Sequence, residues 1–372
     1  MRIGIDVHAA EQDGSGNCTY IRGLVEALLS QDFENEYILY IIDRNHRFYR
    51  NIRQDAKVRL RSLRVENPLV RIPLFLGRAT QRDSLDILHV QFIAPPRHRG
   101  KLVATIHDLG FLHLPRTFAR FFVWRSRMFI RQTARRAARI ITGSQFSKTD
   151  IAARYGLAPG KIEVIPCGVS PRFGEAQDTS RIQKTLAKYQ IRPPYILSVS
   201  RLNPRKNLVS LAGAFSRLKS ELHLPHQLVL AGRSDYKTAR TVALIKKAAG
   251  ADILLAGFVD DEDLPALYQG ADIFVYPSLF EGAGLPVLEA MAAGVPVIAS
   301  NTTSLPEIVG DAGIAINPLS VDEIAQAIRR LATDRELREE CRRKGRARAA
   351  GFTWDKAAQK TLRIYQELFS GS

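Results

Sequence analysis

Short apolar runs alternate with stretches of helical spacing along the whole chain, and that alternation leaves few folds open. In the first half the runs are Arg2 to Val7, Tyr37 to Ile42, Leu85 to Val90, Lys101 to Ile106, Ile140 to Thr142 and Ile162 to Ile165. In the second they are Tyr195 to Val199, Gln227 to Ala231, Ile253 to Ala256, Ile273 to Tyr276, Pro296 to Ala299 and Gly313 to Ile316. A strand–helix–strand repeat builds α/β domains with parallel sheets covered by helices. At 372 residues the chain is longer than one growing core accommodates, so each half is expected to form its own Rossmann-like sheet. The stretch 166–194 separates the halves. It opens on the turn of Pro166, Gly168 and Pro171 and closes on Pro193-Pro194, which puts an N-terminal domain over 1–175 and a second domain from 190 to 353. Open parallel sheets bind ligands beyond the carboxyl ends of their strands, so two such edges are expected to face an interdomain cleft.

Composition narrows the setting. Cys18, Cys167 and Cys341 are widely spaced and form neither a disulfide framework nor a zinc knuckle, which suits a reducing compartment. The opening MRIGIDV reads as a strand and not as a signal peptide, and no apolar run reaches the roughly 18 residues of a membrane span. A cytoplasmic protein is therefore expected. The net charge of +17 is concentrated early: residues 1–170 hold 27 Lys and Arg against 15 Asp and Glu. That half should meet a polyanion, either a membrane surface, a nucleic acid or a phosphorylated substrate.

The segment from Tyr276 to Ser300 reads YPSLFEGAGLPVLEAMAAGVPVIAS: a strand, a Gly-rich turn, and a helix opening at Leu285-Pro286. Gly282 and Gly284 let the backbone approach a ligand, and the first helical N–H groups beyond them carry the positive end of the helix dipole. Glu281 and Glu289 flank that turn. Helical side chains lean toward the N-terminus, so Glu289 can reach back to the ligand the loop holds. One carboxylate can accept from sugar hydroxyls and the other from a ribose diol. The bland alternative is a solvated loop residue and a surface helix residue.

The whole string resembles the E-x7-E signature of the retaining GT4 glycosyltransferases, whose fold is the two-domain GT-B. The flanking Pro277-Ser278, the Gly282-Ala283-Gly284 turn, Leu285-Pro286 and Glu289-Ala290-Met291-Ala292 all carry the resemblance. It implies that Glu281 contacts the donor sugar and Glu289 the donor ribose, with Gly282, Ala283, Gly284 and Leu285 lining the donor site. The family often has a bulky residue where this chain has Ala283. The resemblance also implies a last segment, 354–372, returning to the N-terminal domain.

After the first strand of the second domain comes Arg201-Leu-Asn-Pro-Arg-Lys206. Expelling a nucleoside diphosphate from a nucleotide sugar develops charge that a metal or fixed cations must neutralise. Arg201 and Lys206 match the family's R-x4-K pair, which assigns them to the leaving diphosphate, with Arg205 pointing to solvent. Asp261-Glu262-Asp263 reads as helix capping and not as a metal site. No metal and no cofactor are expected. In the N-terminal domain, Asp13-Gly-Ser-Gly16-Asn precedes a helix from about Thr19, and His107 ends another strand. By itself the first is an ordinary turn and the second a structural histidine. The resemblance places Gly16 by donor phosphate or acceptor, and His107 beside the reactive sugar.

From Leu109 to Thr149 there is no acidic residue, while Arg116 to Arg139 carries eight arginines. At 100° per residue Arg116, Arg120, Arg127 and Arg131 cluster on one face, with Phe118, Phe121, Phe122, Met128 and Phe129 largely opposite and Arg125 and Arg136 interrupting. That pattern fits a peripheral helix on an anionic membrane. It fits equally a helix whose phenylalanines face the core. The resemblance favours transfer of a hexose, mannose first, from GDP-mannose or next a UDP-sugar, to a glycan or lipid-linked acceptor, and the basic helix with the early charge suggests that the acceptor sits at the inner face of the cytoplasmic membrane. A nucleotide-sugar epimerase or sugar phosphorylase of the same fold, and an NAD-type oxidoreductase, remain alternatives. No nucleic-acid reader module is present, so no specific nucleic acid is expected.

Overall fold

The computed structural model describes residues 1–50, 52, 55–234, 238–248 and 252–371; Ser372, the end of the 354–372 segment, lies outside the described residues. The chain forms two compact units. One comprises Met1–His113, Arg120–Gly168 and Thr353–Ser372; the other Leu114–Ala119 and Val169–Phe352. The chain thus leaves the first unit at Gly168 and not at 175. Gly168 lies so close to the backbone of Trp354 that a Cβ would sit 2.2 Å from its nitrogen, and Val169 N donates to Phe352 O at 3.0 Å. Outgoing and returning segments run side by side there, and that pairing sets the border.

Among the described residues the first unit holds seven parallel strands: β1 (Arg2–Asp6), β2 (Glu36–Ile41), β3 (Val58–Ser62), β4 (Ile87–Gln91), β5 (Lys101–Thr105), β6 (Arg139–Thr142) and β7 (Ile162–Val164), in the order β3-β2-β1-β4-β5-β6-β7. Strands β1, β2, β4 and β5 are almost wholly buried because helices cover both faces, which is why they read as continuous apolar runs. β3 is the strand the sequence did not announce. It is an edge strand, Val-Arg-Leu-Arg-Ser, with arginines alternating among apolar positions.

The second unit holds β8 (Tyr195–Val199), β9 (Gln227–Ala231), β10 (Ile253–Gly257), β11 (Ile273–Tyr276), β12 (Val297–Ser300) and β13 (Gly313–Ile316), also parallel, in the order β10-β9-β8-β11-β12-β13. Successive residues point to opposite faces. Leu197, Val229, Phe274 and Val297 pack on one side with Leu288 and Met291, and Ile196, Leu228, Ile273 and Ile298 on the other with Leu211 and Phe215. In each sheet the winding reverses beside the first strand, between β1 and β4 and between β8 and β11. Such a reversal opens a crevice at the carboxyl ends of the two strands.

The Gly16–Gln31 helix starts earlier than Thr19 because Ser15 caps it, its hydroxyl accepting from Cys18 N at 3.1 Å. The Trp354–Ser370 helix packs on it, with the Trp354 indole lying over Gly23. A Cβ at Gly23 would sit 2.2 Å from the ring. Gly23→Ala gains about 1 kcal/mol of helix propensity and meets an overpacking cost of about 1–3 kcal/mol. A lower first-unit melting temperature, with increased proteolysis of the C-terminal helix, is the expected result.

Candidate active site

The loops after β8 and β11 flank the reversal point of the second sheet. After β8 the chain makes a short turn, Pro204–Lys206, which Asn203 caps by accepting from Arg205 N at 2.9 Å. This turn aims Lys206 inward. Its ammonium is buried and donates to Tyr276 Oη and Glu281 Oε1, both at 2.6 Å. Arg201, exposed at the end of β8, lies on the same loop.

Arg205 does not point to solvent. Its Nη1 lies 3.0 Å from Glu281 Oε1 and also donates to Phe280 O, while its carbonyl accepts from Leu279 N at 2.9 Å. The residue clamps the 278–281 loop from both side chain and backbone. The pairing follows from the Asn203-capped turn, which turns two successive cations toward one carboxylate. Nothing in the local sequence distinguishes Arg205 from the other basic loop residues.

Glu281 Oε1 also accepts from Ser278 Oγ at 2.5 Å. Burial works against its charge, but Arg205 and then Lys206 outweigh it and hold the carboxyl down at about 2. Glu281 is an ionised group in a dry, cation-lined site, and the solvated-loop alternative fails. Thr303 Oγ1 and Ser304 Oγ fix its backbone, accepting from Glu281 N at 3.1 Å and donating to Glu281 O at 2.9 Å.

Beyond it, Gly282, Ala283 and Gly284 lead into the Leu285–Ala292 helix. Gly284 has φ +59°, and a Cβ there would lie 2.8 Å from Leu305, so both its conformation and its neighbour require glycine. Leu285 is buried and Pro286 occupies the first turn. Glu289 is also buried, against the surface-helix alternative, and its Oε2 accepts from Tyr268 Oη at 2.8 Å. Burial pushes its carboxyl up to about 7, against the opposing hydrogen bond from Tyr268 and the field of Arg172. Two carboxylates on one loop and helix thus have opposite protonation tendencies. Tyr268 lies on a separate helix, Leu264–Gln269, and no sequence signal links it to the site.

Of the stretch read as helix capping, Asp261-Glu262-Asp263, Asp263 takes the N-cap position. It precedes the Leu264–Gln269 helix but its side chain makes no capping hydrogen bond. Its carboxylate instead accepts from Arg181 Nη2 at 2.8 Å, Lys188 Nζ at 2.6 Å and Tyr189 Oη at 2.9 Å. Cations delivered by the Thr179–Lys188 helix, distant in the chain, outcompete the backbone amides.

In the first unit, Gly16 is the first residue of the Ser15-capped helix. His107 follows β5 and is buried, its Nε2 2.9 Å from Gln91 Oε1. The Tyr20 ring meets it edge-on at 4.6 Å between centroids, and burial pushes the imidazole down to about 4. Asp108 accepts from Gly110 N at 2.8 Å, closing the turn that follows.

The basic aromatic segment forms the Arg120–Arg136 helix, whose inner face is Val123, Ser126, Ile130, Thr133 and Ala134. Phe121 and Trp124 are more than half exposed and Met128 nearly so, beside exposed Arg120, Arg127 and Arg131. Arg116 does not belong with them: it lies in a separate turn, Pro115–Thr117, because the chain changes direction at Pro115. Arg136 donates to Pro95 O at 2.9 Å, and Arg125 lies over the Phe122 ring. No helix among the described residues is long and apolar enough to cross a membrane.

The chain matches known proteins over most of its length. The family model described as glycosyl transferases group 1 matches residues 181–348, and that of glycosyltransferase family 4 matches residues 15–173. The O-antigen chain mannosyltransferase B of Escherichia coli is 33% identical over 290 residues, 77% of this chain and 76% of that protein. Among solved structures, a sucrose-phosphate synthase from Thermosynechococcus elongatus superposes with a TM-score of 0.77 at 21% identity, covering 100% of this chain and 99% of the other. Anabaena Alr3699/HepE, crystallised in complex with UDP and glucose, has a TM-score of 0.76 at 17% identity, covering 99% of this chain and 100% of that one. The last two speak for the fold, two Rossmann-like sheets of GT-B type. With the family matches and the mannosyltransferase relative, the two-sheet architecture carries the conclusion that this chain belongs to the family 4, group 1 glycosyltransferases.

Proposed function

We propose that the protein is a retaining hexosyltransferase that moves mannose from a nucleotide sugar, GDP-mannose ahead of UDP-sugars, to a glycan or lipid-linked acceptor in surface polysaccharide or glycolipid synthesis. The observation that carries this reading is the buried group of Arg205, Lys206 and Glu281 beside the Gly282–Gly284 loop. The mannosyltransferase relative supports the sugar, and the UDP-bound neighbour supports a nucleoside diphosphate as the leaving group.

In this reading Arg201 and Lys206 take up the charge of the departing diphosphate, Glu281 accepts from the sugar hydroxyls, and Glu289 accepts from the ribose. The acceptor oxygen bonds to the anomeric carbon on the face the phosphate leaves. The anomeric C–O bond breaks with its electrons on the diphosphate, and the acceptor's proton passes to that phosphate oxygen. Arg205 holds Glu281 in place when Lys206 turns to the phosphates. No metal is assigned a part.

Exposed Phe121, Trp124 and Met128 beside Arg120, Arg127 and Arg131 fit the headgroup region of an anionic membrane, where a lipid-linked acceptor would reside.

A thermal-shift panel of GDP-, UDP- and ADP-sugars tests the donor assignment. GDP-mannose at a hundredfold excess over Kd should stabilise the native state by about 2.7 kcal/mol, and a panel with no shift at all rejects the reading. Lys206→Ala should lower turnover by about 100-fold or more, with a smaller effect on donor binding, as measured by nucleoside diphosphate release.

Donor affinity should also depend on pH. Ribose hydroxyls prefer the ionised carboxylate, and the folded carboxyl of Glu289 is raised to about 7, so affinity is full above that value and falls as pH drops through it. Calorimetric titration between pH 8 and 5.5 should follow that fall, and Glu289→Gln should bind weakly with a flat profile. For the membrane, flotation with anionic liposomes should carry the wild type and leave an Arg120→Glu/Arg127→Glu variant behind. Equal failure of both removes the membrane from the reading.

A further inference from the structure

Gln91 is a buried polar residue at the carboxyl end of β4, with its amide facing the candidate active-site histidine. A primary amide oxygen only accepts hydrogen bonds. With the Gln91 amide turned oxygen-first, as in the structure, the 2.9 Å contact between Gln91 Oε1 and His107 Nε2 puts the proton on Nε2, and in the neutral ring Nδ1 then carries a lone pair. The ring plane is fixed independently: Tyr20 meets it edge-on at 4.6 Å and Phe92 at 5.4 Å. Gln91 Nε2 is buried with no hydrogen-bond partner among the described residues, so the amide brings a second polar group beside the imidazole.

We propose that Gln91 is the positioning residue of His107: it fixes the tautomer with the proton on Nε2, so that Nδ1 is presented as a hydrogen-bond acceptor to a hydroxyl of the bound sugar. The second half rests on the reading of His107 as part of the transferase site; the first does not.

The surroundings favour this uncharged acceptor. The titratable groups around His107 are Tyr20 on the Gly16–Gln31 helix and His89 on β4, with the Cys167 thiol beyond Tyr20, and Asp108, next in the chain, whose carboxylate accepts from Gly110 N at 2.8 Å. His89 is occupied at both nitrogens, by Tyr365 Oη at 2.5 Å and Thr105 Oγ1 at 2.8 Å, and Tyr20 Oη is 2.9 Å from the same threonine oxygen. Burial pushes His89 down to about 3 and the Cys167 thiol up to about 12, and raises the Tyr20 phenol. All three stay neutral at physiological pH, so none of them offers a charge to pair with an imidazolium.

The test uses the full chain labelled with nitrogen-15 histidine, the His107 signals being assigned by their loss in His107→Asn. Wild type should give a protonated Nε2 and an unprotonated Nδ1 from pH 6 to 8; a proton on Nδ1 overturns the proposal. Gln91→Leu, similar in volume, should melt near wild type and show a mixture of tautomers. Its nucleoside diphosphate release from the sugar donor should fall by about tenfold, the value of one hydrogen bond, with the donor KM little changed. Gln91→Glu separates positioning from packing. Its carboxylate accepts the same proton but raises the imidazole pKa, so release should approach wild type at high pH and be lost as pH falls through the raised pKa. If both variants keep wild-type rate and pH profile, positioning is refuted while the transferase reading stands. If no donor is turned over by any form, the site reading fails and the spectra still decide the tautomer.

Discussion

The second unit depends on keeping a negative carboxylate ionised in a buried place. Glu281 achieves this with two cations and a hydroxyl converging on one oxygen, 2.5 to 3.0 Å away. Isolated burial of such a charge costs several kcal/mol, and the arrangement repays that cost only while every partner stays in position. The Asn203-capped turn, the Ser278 hydroxyl and the Thr303 and Ser304 contacts are therefore parts of one requirement. Each contributes by holding a charge partner or the backbone that bears the charge.

Glu289 represents the opposite solution. It shares a loop and helix with Glu281 yet takes its hydrogen bond from a neutral hydroxyl, that of Tyr268, and its proton affinity rises where that of Glu281 falls. The contrast comes from what the neighbouring strands deliver: β8 ends on a turn rich in cations, whereas the Leu264–Gln269 helix brings only a phenol. Similar carboxylates placed on one element thus acquire different chemistry from elements distant in sequence.

That distance also marks how far the sequence could be read. The apolar strands were legible because burial on both faces leaves no room for polar residues. Edge strand β3, half wet and alternating with arginines, carried no such signal. The glutamates and glycines of the 281–289 segment lie within one local string and were legible for that reason, whereas Tyr268 and Gln91 join the candidate sites only through sheet pairing and helix packing. Arg205 was misread and the side-chain partners of Asp263 were missed for one physical cause: the direction of a charged side chain is set by partners that spacing does not disclose. Arg116 was misplaced because a helical wheel assumes an unbroken helix, and the turn at Pro115 ends that assumption.

The return of Thr353–Ser372 to the first unit makes that unit discontinuous along the chain. During synthesis its sheet emerges first, but Gly23 stays uncovered until the entire second unit and the Trp354–Ser370 helix have been made. The second unit is continuous apart from Leu114–Ala119 and is thus able to gather its core earlier than its predecessor can finish. Completion of the earlier-made half waits on the Trp354–Ser370 helix, so a chain cut short before Trp354 would leave the Gly23 face of the Gly16–Gln31 helix open to water and to other unfinished chains.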